Sequence, residues 1–287
     1  MTLYVVATPI GNLQDITFRA VDTLKSSDYI LAEDTRHSRV LLDHYNIQKP
    51  LVSFHKFSEN EKQNKVLEDL QRGAIISLIS DAGTPGISDP GTKLIQACVE
   101  QNILVIPIPG PCAAVTALCG SGLETERFQF VGFLPRKQGE LKRALQEILA
   151  YNGTTVCYES PNRLTHALDC IKELAPERPL VVARELTKKF EEFAKGTAAT
   201  LLEKWGDTSV RGEIVLMIAS NPSPMLTDWE TLTPEEHVAF LQKEYGISQK
   251  EAIIAVAKLR GVSKRDVYNK IHFSLPPLIQ TDYPTVP

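Results

Sequence analysis

Residues 80–91 read Ser80-Asp81-Ala82-Gly83-Thr84-Pro85-Gly86-Ile87-Ser88-Asp89-Pro90-Gly91. They follow the apolar run 74–79, which is typical of a buried strand. They precede a helical pattern that Asp89 and Pro90 are expected to open as N-cap and first helical residue. Glycine allows positive φ angles and close approach to a ligand, while proline holds the loop in one shape. We therefore expect a rigid loop at the carboxyl edge of a parallel sheet, where open α/β folds bind their ligands.

Strands and helices alternate on both sides of this loop. Further short apolar runs, separated by amphipathic helical stretches, predict βαβ units and a mostly parallel sheet within residues 1–110. The prolines of Pro107-Ile108-Pro109-Gly110-Pro111 end this pattern. Residues 111–221 are again α/β, with a more antiparallel character, and end in the linker Asn221-Pro222-Ser223-Pro224. The sequence thus predicts an N-terminal α/β domain at 1–110, a second α/β domain at 111–221 and a helical unit at 228–275.

The predicted helical unit is basic, although the chain as a whole is acidic. Two capping boxes, Thr233-Pro234-Glu235-Glu236 and Ser248-Gln249-Lys250-Glu251, begin helices, and Gly261-Val262-Ser263 makes a tight turn before a third helix. This is a helix-turn-helix pattern. Residues 246–273 hold six basic and two acidic side chains, whereas the chain has a net charge of −4. The asymmetry favours a nucleic-acid contact; the alternative is a helical cap or oligomerisation module with solvated lysines.

The amino-acid composition indicates which classes of protein this chain can belong to. With 43% hydrophobic and 23% charged residues, the 287-residue chain is expected to be globular. No apolar run approaches the roughly 20 residues of a membrane-spanning helix, and the N-terminus lacks the basic start of a signal peptide. The five cysteines form no C-x-x-C pair, and the histidines show no metal-ligand spacing. We expect a cytoplasmic protein with no metal site and no membrane contact.

The loop at 80–91 does not match the common phosphate-binding motifs. Gly86 and Gly91 have the spacing of a phosphate loop, but Thr92-Lys93 reverses its last two residues and Pro90 removes a backbone donor. After the first strand, Gly11 stands alone where a dinucleotide fingerprint needs three glycines. A nucleoside that carries a cation suits the acidic and apolar residues better, because carboxylates accept hydrogen bonds from ribose and amino groups. S-adenosylmethionine is such a ligand.

Six motifs, in order along residues 1–220, resemble those of one known family. They are Thr8-Pro9-Ile10-Gly11-Asn12, Ala32-Glu33-Asp34-Thr35-Arg36, the stretch 80–91, Pro109-Gly110-Pro111-Cys112-Ala113-Ala114, Gly132-Phe133-Leu134-Pro135 and Tyr158-Glu159-Ser160. The chain is similar to the ribosomal RNA small subunit methyltransferase I family, a bacterial branch of the tetrapyrrole methylase superfamily. The resemblance implies a homodimer of the class III methyltransferase type, with S-adenosylmethionine in a cleft between two α/β domains. It also implies 2′-O-methylation of a cytidine in the decoding region of 16S rRNA, in the 30S subunit.

The resemblance also implies which residues face the cofactor. The loops after the strands of the first domain would form one wall of the cleft. The turn at 109–111, the helix after it and the strand ends of the second domain would complete the pocket. The residues expected to bind the cofactor are Pro9, Ile10, Asp81, Gly83, Thr84, Ile87, Ala113, Ala114, Tyr158, Glu159, Arg184, Glu213 and Ile214.

Catalysis of such a reaction needs more than cofactor binding. A ribose 2′-hydroxyl is a poor nucleophile, so a positioned base or a cation that stabilises the alkoxide would help. Lys137, Asp34 and Glu185 are the foremost candidates and Glu159 is a further one, and an ordinary salt bridge is the alternative for each. The basic residues expected to contact substrate phosphates are Arg36, Arg39, Arg136, Lys264 and Arg265. Two other functions stay open: a small-molecule methylase of the tetrapyrrole or diphthamide type, and a non-catalytic RNA-binding or assembly factor.

Overall fold

A computed structural model describes residues 1–55, 59–206, 210–221 and 232–272. The chain divides into two compact units, Met1–Asn221 and Pro222–Pro287. The first unit contains two five-stranded sheets, and the second contains helices. The boundary predicted at residue 110 separates the two sheets along the chain, and as a domain boundary it stays a prediction.

The first sheet is entirely parallel, with the strand order β3-β2-β4-β1-β5. Its strands are β1 Thr2–Val6, β2 Tyr29–Ala32, β3 Leu51–Ser53, β4 Ile75–Ile79 and β5 Leu104–Ile108. The helices that connect them are α1 Phe18–Ser26, α2 Thr35–His44, α3 Glu59–Gln71 and α4 Thr92–Glu100. Because all five strands run the same way, the loops after β1, β2 and β4 meet at one edge of the sheet.

The second sheet is mixed, with the order β6-β7-β10-β8-β9. Its strands are β6 Phe128–Phe133, β7 Thr154–Glu159, β8 Leu180–Arg184, β9 Glu192–Gly196 and β10 Ile214–Ile218. Its helices are α5 Ala113–Ser121, α6 Gln138–Ala150, α7 Pro161–Leu174 and α8 Ala198–Trp205. Strands β6 and β7 are parallel and the other pairs are antiparallel, so the predicted antiparallel character is confirmed.

Helix α5 follows the proline-rich turn and packs on the second sheet. Its buried residues Ala117 and Leu118 lie in one apolar cluster with Val156 of β7 and Val215 of β10. Burial of such side chains stabilises the fold by about 25 cal/mol for each Å² of apolar surface removed from water. The packing fixes the first turn of α5 near the end of β7, where the candidate site lies.

Two expectations for the first unit need correction. Asp89 does not cap a helix, because α4 begins at Thr92 and its N-cap is Gly91. A Cβ at Gly91 would lie 2.5 Å from a methyl carbon of Leu78, so the close packing of this turn on β4 requires glycine. Asp89 therefore remains in the loop. The apolar pattern also did not reveal β9, an edge strand with little apolar sequence, or the short α8 after it.

The second unit has three described helices, α9 Pro234–Tyr245, α10 Gln249–Arg260 and α11 Lys264–His272. Both predicted capping boxes are confirmed, and Gly261 ends α10 in the left-handed conformation. The three helices share a small apolar core that includes Val238, Val256 and Val267. Most of the predicted linker and both ends of the predicted 228–275 unit lie outside the described residues. In the described parts of the chain, no helix is both long and apolar enough to cross a membrane.

Candidate functional site

The first unit contains a cavity of about 310 Å³ where loops of the first sheet face strand ends of the second. The loop after β4, the first turn of α5, the ends of β6 and β7, and the start of β10 all contribute walls. Of the residues predicted to bind a cofactor, those that line this cavity are Ile10, Gly83, Thr84, Ile87, Ala113, Tyr158, Glu159, Glu213 and Ile214. Residues that are distant in sequence thus meet at one site, because they lie at strand ends that come together in the fold.

The loop after β4 is held rigidly against its neighbours. Thr8 and Gly83 exchange two backbone hydrogen bonds of 2.8 and 3.0 Å, which join the loops after β1 and β4. The Thr8 hydroxyl also donates to the carbonyl of Ser80 at 3.1 Å. On the other side, the Thr84 hydroxyl donates to the carbonyl of Pro111 at 3.2 Å. The cavity wall is therefore preformed by contacts that need no ligand.

Four residues of the predicted cofactor set do not line the cavity. Asp81 accepts a hydrogen bond of 3.0 Å from the backbone N–H of Asp34, and so ties the loop after β4 to the start of α2. Pro9 and Ala114 are buried, and Ala114 packs in the core under α5. Arg184 forms an ion pair with a carboxylate of the neighbouring strand β9 at 3.0 Å. These four residues hold the surrounding loops and strands in place and do not contact the interior of the cavity.

Two of the predicted catalytic residues are engaged in local ion pairs away from the cavity. Lys137 is 83% exposed and pairs with Glu140 at 3.1 Å, three residues along α6. Asp34 is the N-cap of α2 and pairs with Arg36 at 2.8 Å. Hydrogen bonds from Arg36 hold the pKa of Asp34 well below its usual range. A carboxylate stabilised in this way is a weak base, and its catalytic role stays a prediction.

The third predicted catalytic residue, Glu185, forms hydrogen bonds beside the cavity and does not line it. Its carboxylate accepts hydrogen bonds from the Lys188 ammonium at 2.9 Å and from the backbone N–H of Glu213 at 3.0 Å. Lys188 also bonds to the Glu213 carboxylate at 3.0 Å, so one ammonium bridges two acids. The hydrogen bond from Lys188 lowers the pKa of Glu185. Glu185 has φ +52°, which is uncommon for a residue with a side chain and marks a tightly determined turn.

The predicted substrate-binding residues all lie on the surface. They are Arg36 and Arg39 on α2, Arg136 after β6, and Lys264 and Arg265 at the start of α11. The first three belong to the unit that holds the cavity and the last two to the helical unit. Exposed cations on either unit are suited to phosphate contacts.

The cavity contains two carboxylates whose proton affinity is raised by burial. Glu159 is 3% exposed, accepts a hydrogen bond from the Ser160 N–H at 2.6 Å and pairs with Arg163. Burial raises its pKa. Burial also raises the pKa of Asp89 to about 6, although a hydrogen bond from Ser80 acts to lower it. None of the ion pairs among the described side chains includes Asp89, so this carboxylate is available to a cationic ligand.

Several lining residues were not predicted from the sequence. Asp89 was expected to cap a helix, and Phe133 was placed in a motif without a role. Leu186, Gly212 and Ser160 also line the cavity. The position of Phe133 and Ser160 at the ends of predicted strands was a usable signal, since strand ends meet at such sites. Leu186 and Gly212 have no such signal in the sequence. Leu186 lies in the loop after one strand and Gly212 in the loop before another, and neither loop contains a motif.

The lining as a whole suits a flat, cationic organic ligand. Apolar side chains such as Ile10, Leu186 and Val215 form most of the wall, and a few polar groups converge on the same space. Among the described residues, no group of three or more histidine, cysteine, aspartate or glutamate side chains has the geometry to hold a metal ion. The arrangement can bind a nucleoside-like molecule, exclude water from it and balance a positive charge.

Comparison with known proteins identifies the family. Residues 2–202 match the model of the tetrapyrrole (corrin/porphyrin) methylases. A protein of Halalkalibacterium halodurans named ribosomal RNA small subunit methyltransferase I is 46% identical over 94% of both chains. The protein of the same name from Bacillus subtilis is 42% identical, also over 94% of both chains. The chain belongs to the ribosomal RNA small subunit methyltransferase I family of tetrapyrrole methylases. The predicted family is thus confirmed.

Solved structures confirm the fold of this methyltransferase family member. A diphthine synthase matches with a TM-score of 0.58 at 14% identity, over 76% of this chain and 90% of that one. A uroporphyrin-III C-methyltransferase of Thermus thermophilus, crystallised with S-adenosylhomocysteine, matches with a TM-score of 0.55 at 17% identity, over 76% of this chain and 97% of its own. The relatives that share the family name cover 94% of this chain, so they must share most of the helical unit as well.

Proposed function

We propose that the protein transfers the methyl group of S-adenosylmethionine to the 16S rRNA of the 30S subunit, at the 2′-oxygen of a cytidine in the decoding region. The single observation that carries the proposal is the cavity, which is preformed, mostly apolar and acidic, in a chain 46% identical to a ribosomal RNA small subunit methyltransferase I. The choice of ribose, cytidine and decoding region rests on the family resemblance of the six sequence motifs.

The residues present fit the cofactor. Gly83 and Ala113 leave room beside the wall for a flat base, and Ile10 and Leu186 supply apolar contact. Asp89 supplies a negative charge for a cationic group, without a competing lysine or arginine among the described ion pairs. A fold neighbour at 17% identity was crystallised with S-adenosylhomocysteine, which supports the same cofactor class for this fold.

The methyl transfer requires no covalent intermediate with the protein. The cofactor supplies a methyl group on a sulfonium, which is already a good leaving group. The side chains must hold the acceptor hydroxyl in line with the methyl carbon and keep water out. Asp89 and Glu159 line the cavity, whereas Lys137, Asp34 and Glu185 do not, so the cavity geometry favours a mechanism based on orientation. A base role for any of the three predicted residues is retained as a proposal, to be tested by substitution.

Substrate RNA would be held by exposed cations. Arg36, Arg39 and Arg136 belong to the unit that contains the cavity, and Lys264 and Arg265 open α11 in the helical unit. Such contacts position an RNA without reading its sequence. The helical unit is shared with relatives of the same name, which supports a role in substrate recognition. A cytoplasmic homodimer, expected from the sequence, is part of the same proposal.

Substrate choice tests the proposal. The purified full-length protein is incubated with S-adenosylmethionine labelled in its methyl group. Separate reactions contain 30S subunits that lack decoding-region ribose methylation, naked 16S rRNA, uroporphyrinogen III or translation elongation factor. We expect label on 16S rRNA, with the 30S subunit as a substrate. Label that appears only on the porphyrinogen or the translation factor would favour a small-molecule or diphthamide-type methylase, and transfer to no acceptor would favour a non-catalytic RNA-binding role.

A further inference from the structure

Phe133 is an aromatic side chain left largely open to solvent at the rim of the cavity. It lines the cavity and is nevertheless 58% exposed. Its ring contacts the ring of Tyr158 edge-on, with centroids 5.5 Å apart and planes at 64°. Phe130 also contacts the ring of Tyr158 edge-on, with centroids 4.8 Å apart. The Phe133 ring is therefore fixed by its neighbour while it retains free aromatic surface.

An irregularity in β6 is what points this ring at the cavity. Strand β6 pairs regularly with β7 up to Phe130 opposite Val156, and pairing resumes with Phe133 opposite Tyr158. One extra residue in β6 therefore bulges out between the two pairs. In a regular strand, side chains three residues apart point to opposite faces. The bulge puts Phe130 and Phe133 on the same face, and bulges of this kind often redirect a side chain beside an active site.

The bulge depends on Gly132. This residue has φ +69°, a conformation that glycine adopts readily and other residues do not. A Cβ at Gly132 would lie 3.3 Å from the Ser88 hydroxyl oxygen, so β6 also approaches the loop after β4 closely here. Ser88 itself lines the cavity. The rim that carries Phe133 is thus built against the cofactor-side loop.

The segment after Phe133 is both anchored and basic. The Leu134 backbone donates a hydrogen bond of 3.4 Å to the Tyr158 carbonyl, and Arg163 donates one of 3.2 Å to the Leu134 carbonyl. Arg136 and Lys137 then follow on the surface. An exposed aromatic ring next to exposed cations is the combination that holds a single-stranded nucleotide, with its base stacked and its phosphate paired.

We propose that Phe133 is the stacking platform for the base of the nucleotide whose ribose is methylated, an inference that rests on the proposed function. A nucleotide that is drawn out of its stack into a protein cleft loses base stacking, and a free aromatic face compensates for that loss. The buried apolar lining deeper in the cavity, including Ile10 and Val215, is left for the cofactor. Phe133 acts as a positioning residue that brings the ribose to the methyl group.

Substitution of Phe133 separates this role from cofactor binding. In Phe133→Ala, loss of one base–aromatic stack should lower kcat/KM for 30S subunits by about 5- to 100-fold. The Kd for S-adenosylmethionine, measured by calorimetry, should stay within about twofold of the original. Phe133→Leu keeps apolar bulk without an aromatic face and should behave like the alanine variant, while Phe133→Trp should restore most of the rate. Phe128→Ala is the matched control, because Phe128 lies in the same strand, is 44% exposed and does not line the cavity.

Each result supports or overturns the inference. A fall in kcat/KM for both Ala and Leu variants, with cofactor affinity and thermal unfolding retained and with rescue by tryptophan, supports it. A parallel loss of cofactor affinity would assign Phe133 to the cofactor and overturn the inference. Full activity of Phe133→Ala or of Phe133→Leu would also overturn it, although the proposed function would stand. If the protein with Phe133 intact transfers no methyl group to 30S subunits, the proposed function fails and the inference fails with it.

Discussion

Replacement of Asp89 by asparagine should stabilise the protein and weaken cofactor binding at the same time. The carboxylate lines the cavity, is partly buried and is not part of the described ion pairs. Burial of a charge without a paired cation costs folding free energy, and the same charge favours a cationic ligand. Asparagine has the same shape and no charge. Function and stability should therefore change in opposite directions, as expected for a binding-site residue.

The pKa of Asp89 gives the size of the effect. It is about 6 in the folded protein, against an ordinary value of 3.8. Between these values the folded protein holds a proton that the unfolded chain has released, so the free energy of unfolding falls as the pH rises from about 4 to about 6. The shift corresponds to at most about 3 kcal/mol, and solvent screening of this partly exposed group reduces that to about 1 kcal/mol. Asp89→Asn should therefore raise the Tm by about 2–4 °C at pH 7.5.

Calorimetric melting between pH 4 and pH 7.5 measures the first half of this prediction. The gain of Asp89→Asn should be complete at pH 7.5, shrink below about pH 6 and be mostly lost at pH 4, because the original side chain is protonated in both states only below the unfolded value of 3.8. Titration with S-adenosylmethionine at pH 7.5 should show a loss of about 1–2 kcal/mol, or roughly 5- to 30-fold in Kd. The exposed Asp22 on α1 supplies the control, since Asp22→Asn removes the same charge far from any pocket wall. An Asp89→Asn protein with an unchanged Tm at pH 7.5 and an unchanged Kd would refute the reasoning.

Three further substitutions test other parts of the site. Gly83→Ala should lower cofactor affinity at least fivefold and cost about 1 kcal/mol of stability, because Gly83 has φ +80° and lines the cavity; calorimetry and urea unfolding measure the two effects. Lys188→Met should cost about 1–2 kcal/mol in urea unfolding, since the partly buried Glu185 loses the cation that it shares with the exposed Glu213, and the loss should shrink in acid, where Glu185, whose pKa Lys188 lowers, takes up a proton. The double charge reversal of Lys264 and Arg265 to glutamate should weaken binding to 30S subunits and reduce the slope of log K against log salt by about 1.4, with cofactor affinity unchanged.

Two of these substitutions have a control in the same chain. Gly73 has φ +103° and no atom near a Cβ, so Gly73→Ala should cost similar stability and leave cofactor affinity intact. Lys137→Met removes an exposed ion pair and should change stability by less than about 0.5 kcal/mol; a large loss of activity in this variant would instead support its predicted catalytic role. Equal affinity losses for the two glycine variants, or a stability loss for Lys137→Met as large as that for Lys188→Met, would contradict the structural interpretation.

Much of the fold could be predicted because its central strands are continuous apolar runs. Ile75–Ile79 is one such run, and the proline cluster near residue 109 marks the passage from the first sheet to the second. The edge strand Glu192–Gly196 could not be predicted in this way, because it has little apolar sequence. It is a strand because its backbone pairs with β8, and a local pattern does not show that pairing. Helix ends were predictable where capping side chains dominate, as at Thr233 and Ser248.

The site was predictable to the extent that it follows from strand ends. Ile10, Gly83 and Tyr158 come directly after or at the end of apolar runs, and the parallel topology brings such positions together. Asp89 was assigned to a helix cap, because the local Asp-Pro signal does not reveal the close packing of Gly91 on β4. The place of Phe133 at a strand end can be predicted, but rules of local sequence cannot report which face a bulged strand presents, so only the three-dimensional structure shows that its ring lines the cavity.

The local ion pairs of Lys137 and Asp34 have a signal in the sequence. Lys137 and Glu140 are three residues apart at the start of a helix, and Asp34 precedes Arg36 at an N-cap. Both spacings favour local pairing. Glu159 also has such a near neighbour in Arg163, and it differs from Lys137 and Asp34 in that it is buried at a strand end and lines the cavity.

Methyl transfer analysed at the level of the nucleoside tests the central claim most directly. The full-length protein is incubated with methyl-labelled S-adenosylmethionine and 30S subunits that lack decoding-region ribose methylation, and the 16S rRNA is then digested to nucleosides. We expect the label to co-migrate with 2′-O-methylcytidine and its yield to fall in Asp89→Asn at limiting cofactor. Label on a base, label in another class of molecule, or rRNA that stays unlabelled while the protein binds the cofactor would contradict the account.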